Sequence, residues 1–206
     1  MRFGELVERA RGLAAGGGRR VLGIAGAPGS GKSTLARRLV EALGGSAALV
    51  GMDGFHLAQK ELERLGIAGR KGAPDTFDAA GYAELLARLR AAGPDVVYAP
   101  EFRREIEEPV ACAVPVPPEV PLVVTEGNYL LLGQGPWERV RGLLDEVWFL
   151  RVAEEVRVAR LVDRHVRYGR PVGEARERVL RGADHVNALL VDASAGGADL
   201  VIGEVC

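Results

Sequence analysis

Gly26-Ala27-Pro28-Gly29-Ser30-Gly31-Lys32-Ser33 fits the pattern GxxxxGK[ST], and Thr34 follows it. Each residue type has a task in that pattern. Glycines let the backbone turn so that several N–H groups converge on phosphate oxygens. A helix opening at the end of the loop adds partial positive charge. Lys32 is placed to reach the β- and γ-phosphates, and the Ser33 hydroxyl to ligate Mg²⁺. Residues 26–34 therefore predict a site for ATP with Mg²⁺. The alternative, a glycine-rich turn that binds nothing, fits the context less well: an apolar run VLGIA precedes the loop and KSTLARRLVEAL follows it.

Two acids stand where a parallel sheet would bring them to this loop. Asp53, in Gly51-Met52-Asp53-Gly54-Phe55-His56, directly follows an apolar run. Groups just past the C-terminal ends of such strands face the ligand crevice, where a carboxylate can accept the proton of an attacking hydroxyl. An Asp-Gly turn without further role is the alternative. Glu126 closes the run PLVVT and precedes Gly127-Asn128-Tyr129, a position suited to an acid on the Mg²⁺ side. Its alternative is a turn acid at a strand end. Arg157, Arg160, Arg164 and Arg167 share one helical face, which as a whole reads as a salt-bridged surface beside Glu154, Glu155 and Asp163.

The elements that must position these groups are legible as alternating patterns. Short apolar runs at 21–25, 47–50, 120–124, 146–150 and 199–202 predict strands buried on both faces. Helical periodicity covers 3–15, 32–43, 79–91, 153–167 and 173–191. Strands alternating with helices predict an α/β fold with a parallel sheet. Asp78 is placed to cap the helix that starts at Ala79. The proline-rich stretch 94–119 predicts a small extended or hairpin excursion. At 206 residues, one domain spanning 1–206 is expected.

Composition narrows the function classes. A net charge of −1 argues against a globally basic nucleic-acid binder. No run is long and apolar enough to predict a membrane span, and the start MRFGELVERARGLAAGGG lacks the apolar centre of a signal peptide. Cys112 and Cys206 form no CxxC, which points to a reducing, cytoplasmic setting. His56, His165 and His185 lack metal-ligand spacing. No Asn-Lys-x-Asp is present to read guanine, which weakens a GTPase reading.

With GAPGSGKS, MDGFHL (52–57), RKGAPDTFD (70–78), EEPVA (107–111), EGNYLLL (126–132) and RHVRYG (164–169), the chain resembles P-loop kinases of the uridine kinase, phosphoribulokinase and bacterial pantothenate kinase group. It is nearest a bacterial subgroup described loosely as nucleoside/nucleotide kinase-like or fructokinase-like. The resemblance implies a five-stranded parallel sheet in the order 2-3-1-4-5 and an ATP-dependent kinase acting on a hydroxyl of a small molecule. Asp53 then becomes the catalytic base, and Glu126 the acid beside magnesium. His56, Arg70, Lys71, Tyr98, Phe102, Arg103 and Arg104 fall around the acceptor. Arg160 and Arg164 belong to a lid over 153–171. Kinases of this group often form dimers or tetramers, which leaves a homo-oligomer open.

The chain departs from the group by carrying Arg103 where an acid often stands, and Ala99 after Tyr98. A missing carboxylate weakens ribose recognition, and the arginines suit an acceptor with a carboxylate or phosphate; a solvated loop is the alternative. A P-loop NTPase with a regulatory or binding role and no metabolite acceptor remains the rival function.

Overall fold

In the computed structural model, residues 1–203 are described, and Cys206 lies outside them. In chain order the elements are α1 (Phe3–Ala14), β1 (Arg20–Ala25), α2 (Lys32–Leu43), β2 (Ala47–Gly51), α3 (Gln59–Arg64), α4 (Ala79–Ala91), β3 (Val97–Arg103), β4 (Glu108–Val116), β5 (Leu122–Gly127), α5 (Glu138–Arg141), β6 (Glu146–Leu150), α6 (Glu154–Arg167), α7 (Val172–Leu180), α8 (Ala183–Ala193) and β7 (Leu200–Ile202). A five-stranded sheet runs β2-β5-β1-β6-β7, and every pair in it is parallel. With the β3–β4 hairpin set aside, this is the expected order 2-3-1-4-5.

The apolar runs are continuous because alternate residues fill two cores. Leu22, Ile24, Leu122, Val124, Trp148 and Leu150 pack under α1 and α2, against Leu6, Ala10, Leu35 and Leu39. Val21, Ala25, Val123, Val147 and Phe149 face the opposite side, against Tyr82, Leu86 and Leu89 of α4, Trp137 and Val191 of α8. Period-two alternation places consecutive side chains on opposite faces, so a strand covered on both needs apolar residues throughout.

Helix bounds follow the sequence closely at α2 and α4, and Asp78 caps α4 through Gly81 N–H donating to Oδ1 at 2.8 Å. The stretch expected as one helix over 173–191 is two. The chain leaves the helical path at Arg181 and Gly182, whose φ and ψ of −92° and −153° are extended. Glycine is a poor helix former, and the break lets α8 fold back toward the cleft. The 94–119 stretch is the β3–β4 antiparallel hairpin. Its register slips between Ala99 and Glu101, at Pro100, which has no N–H to offer the ladder.

One buried cation ties this architecture together. Arg19 is 6% exposed, and its guanidinium donates to the carbonyl oxygens of Val120 (2.9 Å), Leu89 (3.3 Å) and Pro117 (2.5 Å). It thereby joins the C-terminal end of α4 to the lead-in of β5. Arg19→Ala removes the side-chain donor from three carbonyls, of which those of Leu89 and Pro117 keep the N–H groups of Ala92 and Val120, and we expect it to lower stability by about 1–2 kcal/mol, read as a shift in the urea midpoint. An unchanged midpoint would refute that role.

Candidate active site

The phosphate loop is built by a close approach of backbone to helix. Gly29 has φ of +81°, and a Cβ there would sit 2.7 Å from the Arg157 carbonyl oxygen and 2.8 Å from Leu161 Cγ. Only glycine allows both the turn and the contact with α6. The loop opens directly into α2, whose first residues are Lys32 and Ser33. Behind them, β5 carries Glu126 inside the strand as its penultimate residue, buried to 8% exposure. Ser33 Oγ donates to Glu126 Oε1 at 2.9 Å. These are hard oxygen donors of the kind Mg²⁺ takes, with water and phosphate completing its shell.

Asp53 lies in the one-turn helix Met52–Phe55 after β2. Gly54 lets the hairpin rest on this turn: a Cβ would stand 2.5 Å from the Pro100 carbonyl oxygen. The hairpin end supplies Arg104, whose Nη2 donates to Asp53 Oδ2 at 3.1 Å. Asp53 Oδ1 accepts no hydrogen bond among the described residues.

The charges in this cluster are mutually adjusted. Burial lowers the Lys32 pKa, opposed by the charges of Glu126 and Asp53. Burial pushes Glu126 up, the Asp53 charge adds to that, and Lys32 opposes it. Burial works to raise Asp53 as well, but His56, Arg104, Lys32 and Arg164 outweigh it and hold the carboxyl below its ordinary range. Asp53 is therefore ionised at neutral pH, between two cations and a second acid.

Two cavities of about 580 and 640 Å³ meet at this cluster. Lys32, Ser33, Asp53, Phe102, Arg104 and Arg164 line both. The first lies over His56, Lys71, Asn128, His165 and Asn187; the second lies over Gly29, Gly31, Thr34, Glu126 and Arg160.

Of the sequence-predicted acceptor residues, the structure brings together His56, Lys71, Phe102 and Arg104. His56 is stacked between Phe77 and Phe102, with ring centroids 4.0 and 4.6 Å away. Lys71 Nζ lies 5.5 Å from the Phe102 ring centroid and donates to the Glu107 carbonyl oxygen at 2.6 Å. Three residues are placed elsewhere. Tyr98 is 53% exposed on β3 and lines neither cavity. Arg103 is exposed and sits 3.5 Å from Glu101. Arg70 is exposed and pairs with Asp75.

The arginine row is also corrected, because it divides by depth instead of forming one solvated face. Arg157 is 5% exposed beneath the phosphate loop, donating to the Pro28 carbonyl oxygen at 3.4 Å. Arg160 reaches the Ser30 carbonyl oxygen at 3.3 Å from the rim. Arg164 is half-buried between the cavities, and Arg167, 3.8 Å from Asp163, is a surface pair.

Several lining residues carried no functional reading in the sequence. The Gly72 carbonyl oxygen accepts from both Tyr129 Oη and Asn187 Nδ2, the latter at 3.1 Å. Arg178 Nη2 donates to the Lys71 carbonyl oxygen at 2.8 Å, and Trp137 Nε1 to that of Pro74 at 3.1 Å. His165 Nε2 and Asp184 Oδ2 are 2.6 Å apart, tying α6 to α8. Asn128 Oδ1 is buried in the first cavity with no hydrogen-bond partner. Spacing could not announce these groups, since they come from distant elements. An acid beside a polar residue at a strand end is the one available hint, and it covers only Asn128.

His56 also gives a pH-dependence. Its Nδ1 lies 2.8 Å from the Asp53 carbonyl oxygen, which can only accept, so Nδ1 carries the hydrogen and Nε2 the lone pair. Burial lowers its pKa below 6.5, opposed by the Asp53 charge. The unfolded chain therefore binds this proton first as pH falls. The contribution of His56 to stability is full above about pH 6.5 and is lost as pH drops toward the folded pKa. His56→Phe should remove that component from the stability–pH curve; superimposable curves would show that the ring is not held neutral.

Comparison with known proteins agrees with this geometry. The sequence model of the Phosphoribulokinase / Uridine kinase family matches residues 21–202. A Schizosaccharomyces pombe protein provisionally named a uridine kinase is 35% identical over 98% of this chain and 91% of its own length. An Aspergillus versicolor ATP-dependent kinase-like protein is 39% identical over 66% of this chain and 84% of its own. The crystal structure of a Silicibacter protein provisionally named a fructose transport system kinase superposes with a TM-score of 0.88 at 36% identity, covering 98% of this chain and 99% of that one. A nucleotide-type phosphate loop, a five-stranded parallel sheet in the order described and a match along most of the sequence lead to one conclusion: the chain belongs to the phosphoribulokinase/uridine kinase family of P-loop kinases.

Proposed function

We propose that the protein transfers the γ-phosphoryl group of ATP to a hydroxyl of a small molecule. The observation that carries this reading is the shared wall of the two cavities, where Asp53 stands beside Lys32 and Ser33. ATP would occupy the cavity over Gly26–Thr34, with Arg160 at its rim, and the acceptor the cavity over His56. When bound, Mg²⁺ would be held from Ser33 and Glu126 and would offset the charge of the phosphates. The repulsion that raises Glu126 beside Asp53 is what such a cation relieves.

In the transfer, the acceptor oxygen bonds to the γ-phosphorus as the bond to the ADP oxygen breaks. The hydroxyl proton passes to Asp53 Oδ1, the carboxylate oxygen that Arg104 leaves free. Lys32 and Arg164 offset the charge on the transferring group. A transfer of this kind depends mostly on positioning, which suits a base whose pKa is held low.

The test is acceptor-dependent ATP consumption. Pure protein with Mg²⁺-ATP and pools of hydroxylated metabolites should yield a product heavier by one HPO₃, seen by mass spectrometry. ATP hydrolysis that is indifferent to every pool would instead favour a regulatory NTPase. Localisation in the cytoplasm and assembly into a homo-oligomer accompany this reading as proposals, the latter tested by light scattering.

A further inference from the structure

Six cations line the acceptor cavity: Lys32, Lys71, Arg104, Arg164, Arg170 and Arg178. Three of them are matched by acids. Arg104 pairs with Asp53, Arg178 lies 3.7 Å from Asp184, and Arg170 lies 3.9 Å from Glu174. Lys32 belongs to the phosphate loop. Lys71 and Arg164 remain. Lys71 is bonded to two neutral oxygens, the Gln59 amide at 3.3 Å and the Glu107 carbonyl at 2.6 Å, which uses two of its three donors. Among the described residues, Arg164 makes no ion pair and donates no hydrogen bond. It is half-buried: burial and the charge of Arg104 disfavour its own charge, and those of Asp53, Asp184 and Glu107 favour it without bonding to it.

A half-buried guanidinium that no carboxylate bonds directly keeps its donors available to an arriving anion. ATP accounts for Arg164 in part, since that residue also lines the nucleotide cavity. It does not account for Lys71, which lines only the acceptor cavity. Lys71 and Arg104 both lie against the Phe102 ring, at 5.5 and 5.6 Å from its centroid, and Arg104 in turn holds Asp53. The Phe102 ring is therefore shared by the ammonium group and the arginine that holds the proposed base. Asn128, whose Oδ1 is buried without a hydrogen-bond partner, lines the same cavity.

We infer that the acceptor is a small hydroxylated anion, with its reacting hydroxyl at Asp53 and a carboxylate or phosphate group read by Lys71. This rests on the kinase reading and names the substrate class it leaves open. A neutral sugar or nucleoside would offer Lys71 no charge to pair with and would be a poorer substrate than the anion.

The experiment compares three pools with Mg²⁺-ATP: hydroxy acids, sugar phosphates, and neutral ribonucleosides and ketohexoses. ATP binding is measured separately by calorimetry. We expect turnover in one anionic pool, with kcat/KM about ten- to hundredfold above that of the matching neutral analogue. Which pool responds tells carboxylate from phosphate. Lys71→Met keeps the contact with Phe102 and should raise KM for the anion by a similar factor with kcat little changed. It should leave the neutral analogue untouched, which a merely structural role for Lys71 would not do. Turnover of neutral compounds as good as that of anions overturns the inference and leaves the kinase reading standing. Equal losses for both substrates in Lys71→Met overturn the role of Lys71. ATP binding with no product in any pool overturns the kinase reading and this inference with it.

Discussion

Asp53→Asn is expected to lower acceptor phosphorylation by about a thousandfold while ATP affinity stays close to that of the parent. The substitution keeps the shape and the hydrogen bond from Arg104, now to an amide oxygen, and removes the proton acceptor. It also removes the charge that balances Arg104, Lys32 and Arg164 at the junction of the cavities. The two effects separate experimentally. Loss of the base lowers kcat, whereas loss of charge balance bears on the anionic nucleotide, whose Kd should move by no more than a few-fold. Because neighbouring cations outweigh burial and hold Asp53 below its ordinary range, protonation of the base should set in only below the pH at which an ordinary carboxylate titrates. A single-turnover rate within a fewfold of the parent would exclude Asp53 as the base.

Lys32→Met is expected to cost about a hundred- to thousandfold in kcat, without loss of the fold. Lys32 is the cation that acts most strongly on Glu126, and it acts on Asp53 after His56 and Arg104. Its removal leaves two acids facing each other behind the phosphate loop. Glu126, already raised by burial, would then take up a proton more readily, and the loop would lose its reach toward the transferred group. Circular dichroism and the urea midpoint should remain near the parent values, since α2 begins with this residue and its buried side chains Leu35, Ala36 and Leu39 are untouched. ATP-dependent turnover at parent levels would remove Lys32 from the mechanism.

What could be read in advance follows from how local each signal is. The phosphate loop, α2 and the Asp78 cap depend on residues within a few positions of one another, so spacing suffices to find them. The hairpin residues show where this fails. Val97 and Ala99 point into the core, and strict alternation would keep the odd positions inward. The slip at Pro100 reverses the phase, so Phe102 faces the cleft while Arg103 is exposed. A proline inside a strand is a warning of such a slip, and it went unused in placing Tyr98 and Arg103 at the acceptor. Arg157 misled in another way. Its spacing with Arg160 and Arg164 marks a shared helical face, but depth is set by Gly29, whose missing side chain lets α6 press on the loop. Asn187, Arg178 and the His165–Asp184 pair could not be assigned at all, because the break at Gly182 that brings them to the cleft is a tertiary outcome.

The doubly engaged Gly72 carbonyl has a wider meaning. Tyr129 and Asn187, from opposite ends of the cleft wall, use both lone pairs of a single backbone oxygen. Arg178 and Trp137 likewise hold the carbonyls of Lys71 and Pro74. The course of this loop is thus anchored at three of its carbonyls and by the buried Thr76 hydroxyl, and none of these anchors uses the Lys71 side chain. A lineage built this way can exchange Lys71 for another residue and inherit a new diet without rebuilding the wall that displays it. With Lys71 as the proposed reader of the acceptor, anchors and reader are separate genetic targets.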